Sequence, residues 1–243
     1  MPTPVMVRAW LLLLSCSLLP PAHAGNVLEP FTATYVLKRV GMSVGEVRRR
    51  LEARADGTFL FSADSRSTGI ASLFLRDVVT EQSLFRLNDQ GKMQPLEYQY
   101  QRLGGKRERR ARLLFDWSKG MVTNQIDNDS WTMPIPHNAQ DKLLYQLALM
   151  TDLQTGAKEF DYEIADGGYL KSYHFEVIRQ EEINTSLGQV DTWVVERRRE
   201  DRVVTLWCAP RWHFLPVRIE QNEADGDRLQ LYLEQVTGIV PVR

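Results

Sequence analysis

Cysteine is nearly absent: 243 residues hold only Cys16 and Cys208. Cys16 falls inside an N-terminal leader, so the exported chain keeps one cysteine and cannot close an internal disulfide. An oxidising compartment then adds no staple, and the apolar core alone must hold the fold. An excess of charge is missing too. With 30 basic and 31 acidic residues the chain is near neutral, so it is not built around nucleic acid. Of the histidines beyond the leader, His137, His174 and His213, none forms an H-E-x-x-H spacing or any tight spacing with Cys208, so a metal site has no local support. There is no phosphate-cradling glycine loop, no internal repeat and no low-complexity tract.

The single long apolar run is at the start. Arg8 supplies a positive n-region and residues 9–19 an apolar h-region. Pro20-Pro21 then break the chain before Ala22-His23-Ala24, a small-x-small cleavage pattern. This predicts a secretory signal peptide over residues 1–24, cut after Ala24, so that the mature chain begins at Gly25. The run is too short for a transmembrane anchor, which needs about 20 apolar residues. The rival is lipidation at Cys16, because Leu13-Leu14-Ser15-Cys16 loosely resembles a lipobox. That cut would leave an apolar Ser17-Leu18-Leu19 at the mature end and give Ala22-His23-Ala24 no role. The remaining 219 residues, with 29 basic and 31 acidic groups, suit a single β-rich domain over residues 25–243.

Period-two alternation is what fills that length. Phe31, Ala33, Tyr35 and Leu37 alternate with Thr32, Thr34 and Lys38, and similar runs cover residues 59–62, 79–87 and 96–103. Further runs cover 169–178, 190–198, 203–208, 214–220 and 229–236. Turn formers divide them, as at Ala55-Asp56-Gly57, Asn88-Asp89-Gln90-Gly91 and Ser118-Lys119-Gly120. Strands at hairpin spacing predict a curled antiparallel meander or a partly open β-barrel. One helix is expected over residues 138–153: Asn138 stands as its cap, Asp141 completes a variant capping box, and Leu143, Leu144, Leu147 and Met150 form its apolar stripe.

The chemistry-bearing residue types mostly have ordinary explanations. Gly41-Met42-Ser43-Val44-Gly45 matches the G-x-S-x-G nucleophile elbow, which needs a strand before Ser43 and a helix after it. Residues 46–56 fit a helix through Val44, Val47 and Leu51, or a strand through Val47, Arg49, Leu51 and Ala53. The hairpin-rich surroundings favour a glycine-bounded turn over a nucleophile. His137, His174 and His213 read as structural or surface groups. Arg48-Arg49-Arg50, residues 106–112 and Arg197-Arg198-Arg199 are basic runs interrupted by Glu46, Glu52, Glu108, Glu196 and Glu200. Neighbours on a strand point to opposite faces, so these runs read as solvated sheet faces; the alternative is contact with anionic headgroups or another acidic envelope polymer. Asp127, Asp129, Asp166 and Glu181-Glu182 fall in turn-like stretches, where paired acids for glycoside hydrolysis are weighed against chance. Asn128-Asp129-Ser130 and Asn184-Thr185-Ser186 fit the short glycosylation sequon. In residues 206–221, Val204, Leu206 and Cys208 share one strand face and Thr205 and Trp207 the other. Ala209-Pro210-Arg211 turns the chain, and Pro216 marks an edge or a bulge in the returning strand. Cys208 reads as a small buried hydrophobe.

The order of several short motifs resembles the DUF3108 family of exported bacterial proteins, whose role is unassigned. The motifs are Phe31-x-Ala33-x-Tyr35, residues 41–45, Pro95-x-x-Tyr98, Phe115-Asp116 and Asp141-x-Leu143. They continue with Leu187-Gly188-x-Val190-x-Thr192, Leu206-Trp207 and Leu215-Pro216-Val217-Arg218-Ile219. The family often carries an acidic residue in the final hairpin turn, where this chain has Ala209-Pro210-Arg211. The resemblance implies a β fold and a Gram-negative periplasmic location, and it carries over no catalytic residue. The expectation is a soluble periplasmic binding or carrier protein for an apolar or amphipathic, lipid-like envelope molecule, acting without catalysis, cofactor or metal. The ligand-contacting residues and the oligomeric state stay open. A structural or assembly partner in the envelope is the alternative, and a hydrolase using Ser43 or a carboxylate pair is the second.

Overall fold

The computed structural model describes residues 28–69, 78–104, 108–199, 202–222 and 226–242. The expected signal peptide with its cut after Ala24, Cys16, and Lys106 and Arg107 of the second basic run lie outside the described residues. Eight strands make the first half of the sheet: β1 (Phe31–Arg39), β2 (Met42–Ala53), β3 (Phe59–Ser67), β4 (Val78–Leu87), β5 (Met93–Leu103), β6 (Arg109–Asp116), β7 (Met121–Ile126) and β8 (Asp129–Pro134). A two-residue strand, β9 (Gln140–Asp141), and one helix, α1 (Tyr145–Leu153), lead into the second half. That half holds β10 (Glu159–Asp166), β11 (Tyr169–Thr185), β12 (Gly188–Arg199), β13 (Arg202–Ala209), β14 (Leu215–Asn222) and β15 (Arg228–Thr237).

All fifteen strands belong to one sheet, ordered β8-β7-β6-β5-β4-β3-β2-β1-β15-β14-β13-β12-β11-β10-β9. Each half is a meander, and the long-range β1–β15 pairing, with Ala33 opposite Val236, joins them. Every ladder is antiparallel except β9–β10. The sheet curls but does not close into a barrel: β8 and β9 are its two edges. Part of the gap is bridged by side chains. Gln140 Nε2 donates to the Met93 carbonyl at 2.9 Å and Ser83 Oγ to Asp141 Oδ2 at 2.5 Å, which ties the β9 edge across to β4 and β5.

The alternating residues do what their period requires. Phe31, Ala33 and Tyr35 on β1 and Val47 and Leu51 on β2 are buried on the concave side. Helix α1 lies against that side. Leu147 and Met150 join the cluster of Phe31, Leu51, Phe61 and Phe85, while Leu149 and Leu153 join a second cluster with Phe160, Phe175, Leu206 and Cys208. Two buried sides explain why a simple one-sided stripe understates the helix. Its end falls where the spacing predicts, but its start does not. Asn138 is exposed and caps nothing, because Gln140 and Asp141 pair with Ile164 and Ala165 of β10 and hold the chain extended. The backbone turns only afterwards, when Asp141 Oδ1 accepts from the amides of Leu143 and Leu144 at 2.8 and 2.7 Å.

Across the sheet opening, Trp131 of β8 packs on the β10–β11 turn. Gly168 in that turn has φ +86°, and a Cβ there would overlap the Trp131 ring. Gly168→Ala is therefore expected to lose about 1–3 kcal/mol through backbone strain and a displaced ring. Trp131 fluorescence and the urea midpoint should shift together; an unchanged midpoint would mean that this contact does not hold the two ends.

Candidate functional site

The residues singled out by type are not brought together. Ser43 is exposed two residues past the β1–β2 turn, opposite Lys38, and residues 46–53 continue as strand, so the elbow's helix is missing. His137 is exposed ahead of β9. His174 is exposed on β11, where its Nδ1 lies 2.9 Å from Asp161 Oδ1; this carboxylate hydrogen bond raises its pKa above the ordinary imidazole value. His213 sits in the β13–β14 connection with φ +52°. Among the described residues no three His, Cys, Asp or Glu side chains could share a metal ion. Glu181 accepts from Arg179 and Trp207, which hold its carboxyl below the usual range, and is engaged structurally.

The 206–221 stretch is a hairpin with a longer turn than its sequence suggests. A 3-10 turn, Pro210–Trp212, precedes His213 and Phe214, both with positive φ, and β14 begins at Leu215. Pro216 pairs with Cys208 at a register shift, so it sits in a bulge rather than on an edge. Both faces of β13 are covered: Trp207 and Ala209 belong to one cluster, Leu206 and Cys208 to the other. Burial pushes the Cys208 thiol far above its ordinary pKa. Native protein is expected to resist iodoacetamide at Cys208 and a fluorophosphonate at Ser43, with the thiol reacting only after denaturation. Labelling of either in the folded state, read by mass spectrometry, would contradict this.

The polar chemistry of the molecule lies instead on the concave side, at the start of α1. On β2, Arg49 occupies the inward phase between Val47 and Leu51, while Arg48 and Arg50 point out; only 7 % of Arg49 is exposed. Its guanidinium lies 5.2 Å from the Tyr35 ring centre. From the other half, Arg197 of β12 stands 4.1 Å from the Tyr173 ring centre, and that ring meets Tyr145 of α1 edge-on at 5.4 Å. Neither arginine forms an ion pair among the described residues, and the Nε of each is buried without a partner there. The contrast with Glu220 is plain. That carboxylate, similarly buried, is clasped by Arg218, Arg228 and Gln230, whose hydrogen bonds outweigh the upward push of burial and keep its pKa low.

These basic residues were legible only in part. As members of the Arg48-Arg49-Arg50 and Arg197-Arg198-Arg199 runs they read as solvated sheet faces, which Arg48 and Arg198 are. The phase of Arg49 with Val47 and Leu51, and of Arg197 with Val195, was the available signal. Tyr145 meets the Tyr173 ring and lies within electrostatic range of both arginines. Burial pushes its hydroxyl up to about 12, with Arg197 and Arg49 opposing and Tyr173 and Glu81 adding to the rise, so it stays a protonated donor at neutral pH. Glu81 completes the cluster and accepts from Tyr98 Oη at 3.0 Å. Tyr145, Glu81 and Arg197 are half-buried, whereas Arg49 is buried.

Towards the other end of α1, Phe31, Leu51, Leu147, Met150, His213 and Ile239 line a small recess of about 100 Å³. That is well below the roughly 300–1,000 Å³ of a drug-sized ligand site. A larger, open polar groove of about 830 Å³ runs between the β4–β5 turn, α1 and β10, and Lys92 bridges it to Asp152 at 3.0 Å.

A family model described as a protein of unknown function, DUF3108, matches residues 30–234. A search of curated proteins returns no match. Among solved structures the chain is similar to the β-barrel-like protein of a domain of unknown function, DUF1849, from Brucella abortus. The TM-score is 0.55 at 12 % identity, over 86 % of this chain and 97 % of that one. At this identity the likeness speaks for the fold alone.

Proposed function

We propose that this chain, which belongs to the DUF3108 family, is a periplasmic protein that binds an amphipathic envelope molecule on the concave side of its curled sheet. The observation that carries the reading is the Arg49–Tyr145–Arg197 mouth. Guanidiniums without a carboxylate partner stand there, each with an unpartnered buried Nε and each beside an aromatic ring, Tyr35 for Arg49 and Tyr173 for Arg197. Sites of mixed character, mostly apolar with a few converging polar groups, suit ligands of mixed character. The small apolar recess beside Leu147 and Met150 argues against a purely apolar cargo, since it is too small to enclose one. Ser43 does not stand in the strand–turn–helix that the nucleophile elbow needs, because β2 continues through residue 53.

Native mass spectrometry of the protein purified from its own host's periplasm tests the proposal. A co-purifying lipid-like small molecule is expected; protein that is absent from the periplasmic fraction, or that carries and binds no amphiphile, would refute it. One observation favours envelope assembly as a second reading. Tyr169, Leu170 and Trp131 expose apolar surface together at the sheet opening, where a protein partner could bury them.

A further inference from the structure

We propose that the mouth formed by Arg49, Tyr145 and Arg197 binds the phosphate group of the ligand, an inference that rests on the concave side being the ligand site. Arg49 is only 7 % exposed, with its guanidinium beside the Tyr35 ring, yet no carboxylate of the described residues forms an ion pair with it. A guanidinium without a counter-ion in such a place carries a desolvation cost that no described carboxylate offsets. A bound anion offsets that cost. Arg197 approaches from the opposite half of the sheet, and both guanidiniums lie within electrostatic reach of the Tyr145 hydroxyl. That hydroxyl donates to no described residue and is free to join them.

The facing charges favour an anion. Arg49, Arg197 and Lys142, whose ammonium lies 5.8 Å from the Tyr100 ring centre, stand against Glu81, Asp141 and Asp166, the last paired with Lys171 at 2.7 Å. Asp141 is already occupied by Ser83 and two backbone amides, and Glu81 by Tyr98. The shape of the donor set favours phosphate over carboxylate. A single guanidinium satisfies both oxygens of a planar carboxylate in one bidentate pair. A phosphate presents its oxygens tetrahedrally, so two guanidiniums and a phenol can reach it from different sides. Sequence order separates Arg49 from Arg197 by most of the chain, and the β1–β15 pairing joins the two halves of the sheet that carry them.

Calorimetric titration of the purified protein with dihexanoyl phosphatidic acid, dihexanoylglycerol and inorganic phosphate tests the assignment. The phosphatidic acid should bind at least about tenfold more tightly than the neutral dihexanoylglycerol, the difference that charge-assisted hydrogen bonds supply. Arg49→Met and Arg197→Met should each remove about that tenfold and leave dihexanoylglycerol binding unchanged. Ligand-free Arg49→Met should melt no lower than the native protein, because a buried charge without a counter-ion is gone; the more exposed Arg197→Met repeats the test at a site less demanding of the fold. Inorganic phosphate binding as tightly as the phosphatidic acid identifies free phosphate as the source, and weaker binding identifies the lipid headgroup. Equal affinity for dihexanoylglycerol and phosphatidic acid, or arginine variants with native affinity, overturns the phosphate assignment while leaving an amphiphile-binding protein. Failure to bind any of the three overturns both.

Discussion

Leu147→Asp is expected to remove most of the stability of the fold. Leu147 is 2 % exposed and packs with Phe31, Leu51 and Met150 where the helix meets the first half of the sheet. The substitution deletes the burial of a leucine side chain, about 1.5–3 kcal/mol. It also places a carboxylate against apolar groups such as Phe31, Leu51 and Met150, or forces it to take up a proton. Together the loss should reach about 5 kcal/mol, in the range where point substitutions unfold ordinary domains. Met150→Leu, which keeps volume and character at the neighbouring buried position, should cost less than about 1.5 kcal/mol. Urea unfolding followed by circular dichroism checks both. If Leu147→Asp kept the native midpoint, α1 would not be packed inside the curl.

The strands were legible because their one-sided alternation survives in the structure: Phe31, Ala33 and Tyr35 all face inward as their spacing predicts. Legibility fails where a second surface intervenes. Strand β13 is buried on both faces, so Thr205 and Trp207, placed on an opposite and nominally outer face, are as hidden as Leu206. The helix start was misplaced for a related reason. Asn138 and Asp141 have the spacing of a cap, but the distant Ile164 and Ala165 take the backbone of Gln140 and Asp141 into a parallel ladder, and such long-range pairing leaves no local mark. The mouth was hidden by composition. A run of three arginines looks uniformly solvated until the strand register is known, and a shift of one residue would have buried Arg48 and Arg50 instead of Arg49.

Asp141 should make stability fall as pH rises from about 4 to 6. It is fully buried, and burial pushes its pKa from 3.8 up to about 6 against the opposing hydrogen bonds from Ser83, Leu144 and Leu143. The unfolded chain ionises near the ordinary value, so between the two pKa values the folded state holds the proton more tightly. The stabilisation from this group is thus complete below pH 4 and lost once pH passes about 6. A rise from 3.8 to about 6 corresponds to about 3 kcal/mol. Asp141→Asn isolates the effect: the amide oxygen can still accept from Leu143 and Leu144, and the amide nitrogen can donate to Ser83 Oγ. Surface carboxylates such as Asp116, held near 2 by Lys119 and Ser118, contribute slopes of opposite sign at lower pH. They are common to both proteins and cancel in the comparison. Urea unfolding at pH 4, 5, 6 and 7 should show native protein losing about 2 kcal/mol relative to Asp141→Asn across that range, the rest of the effect lying below pH 4. Parallel curves would mean that Asp141 stays ionised in the fold, held by its three donors strongly enough to outweigh its burial.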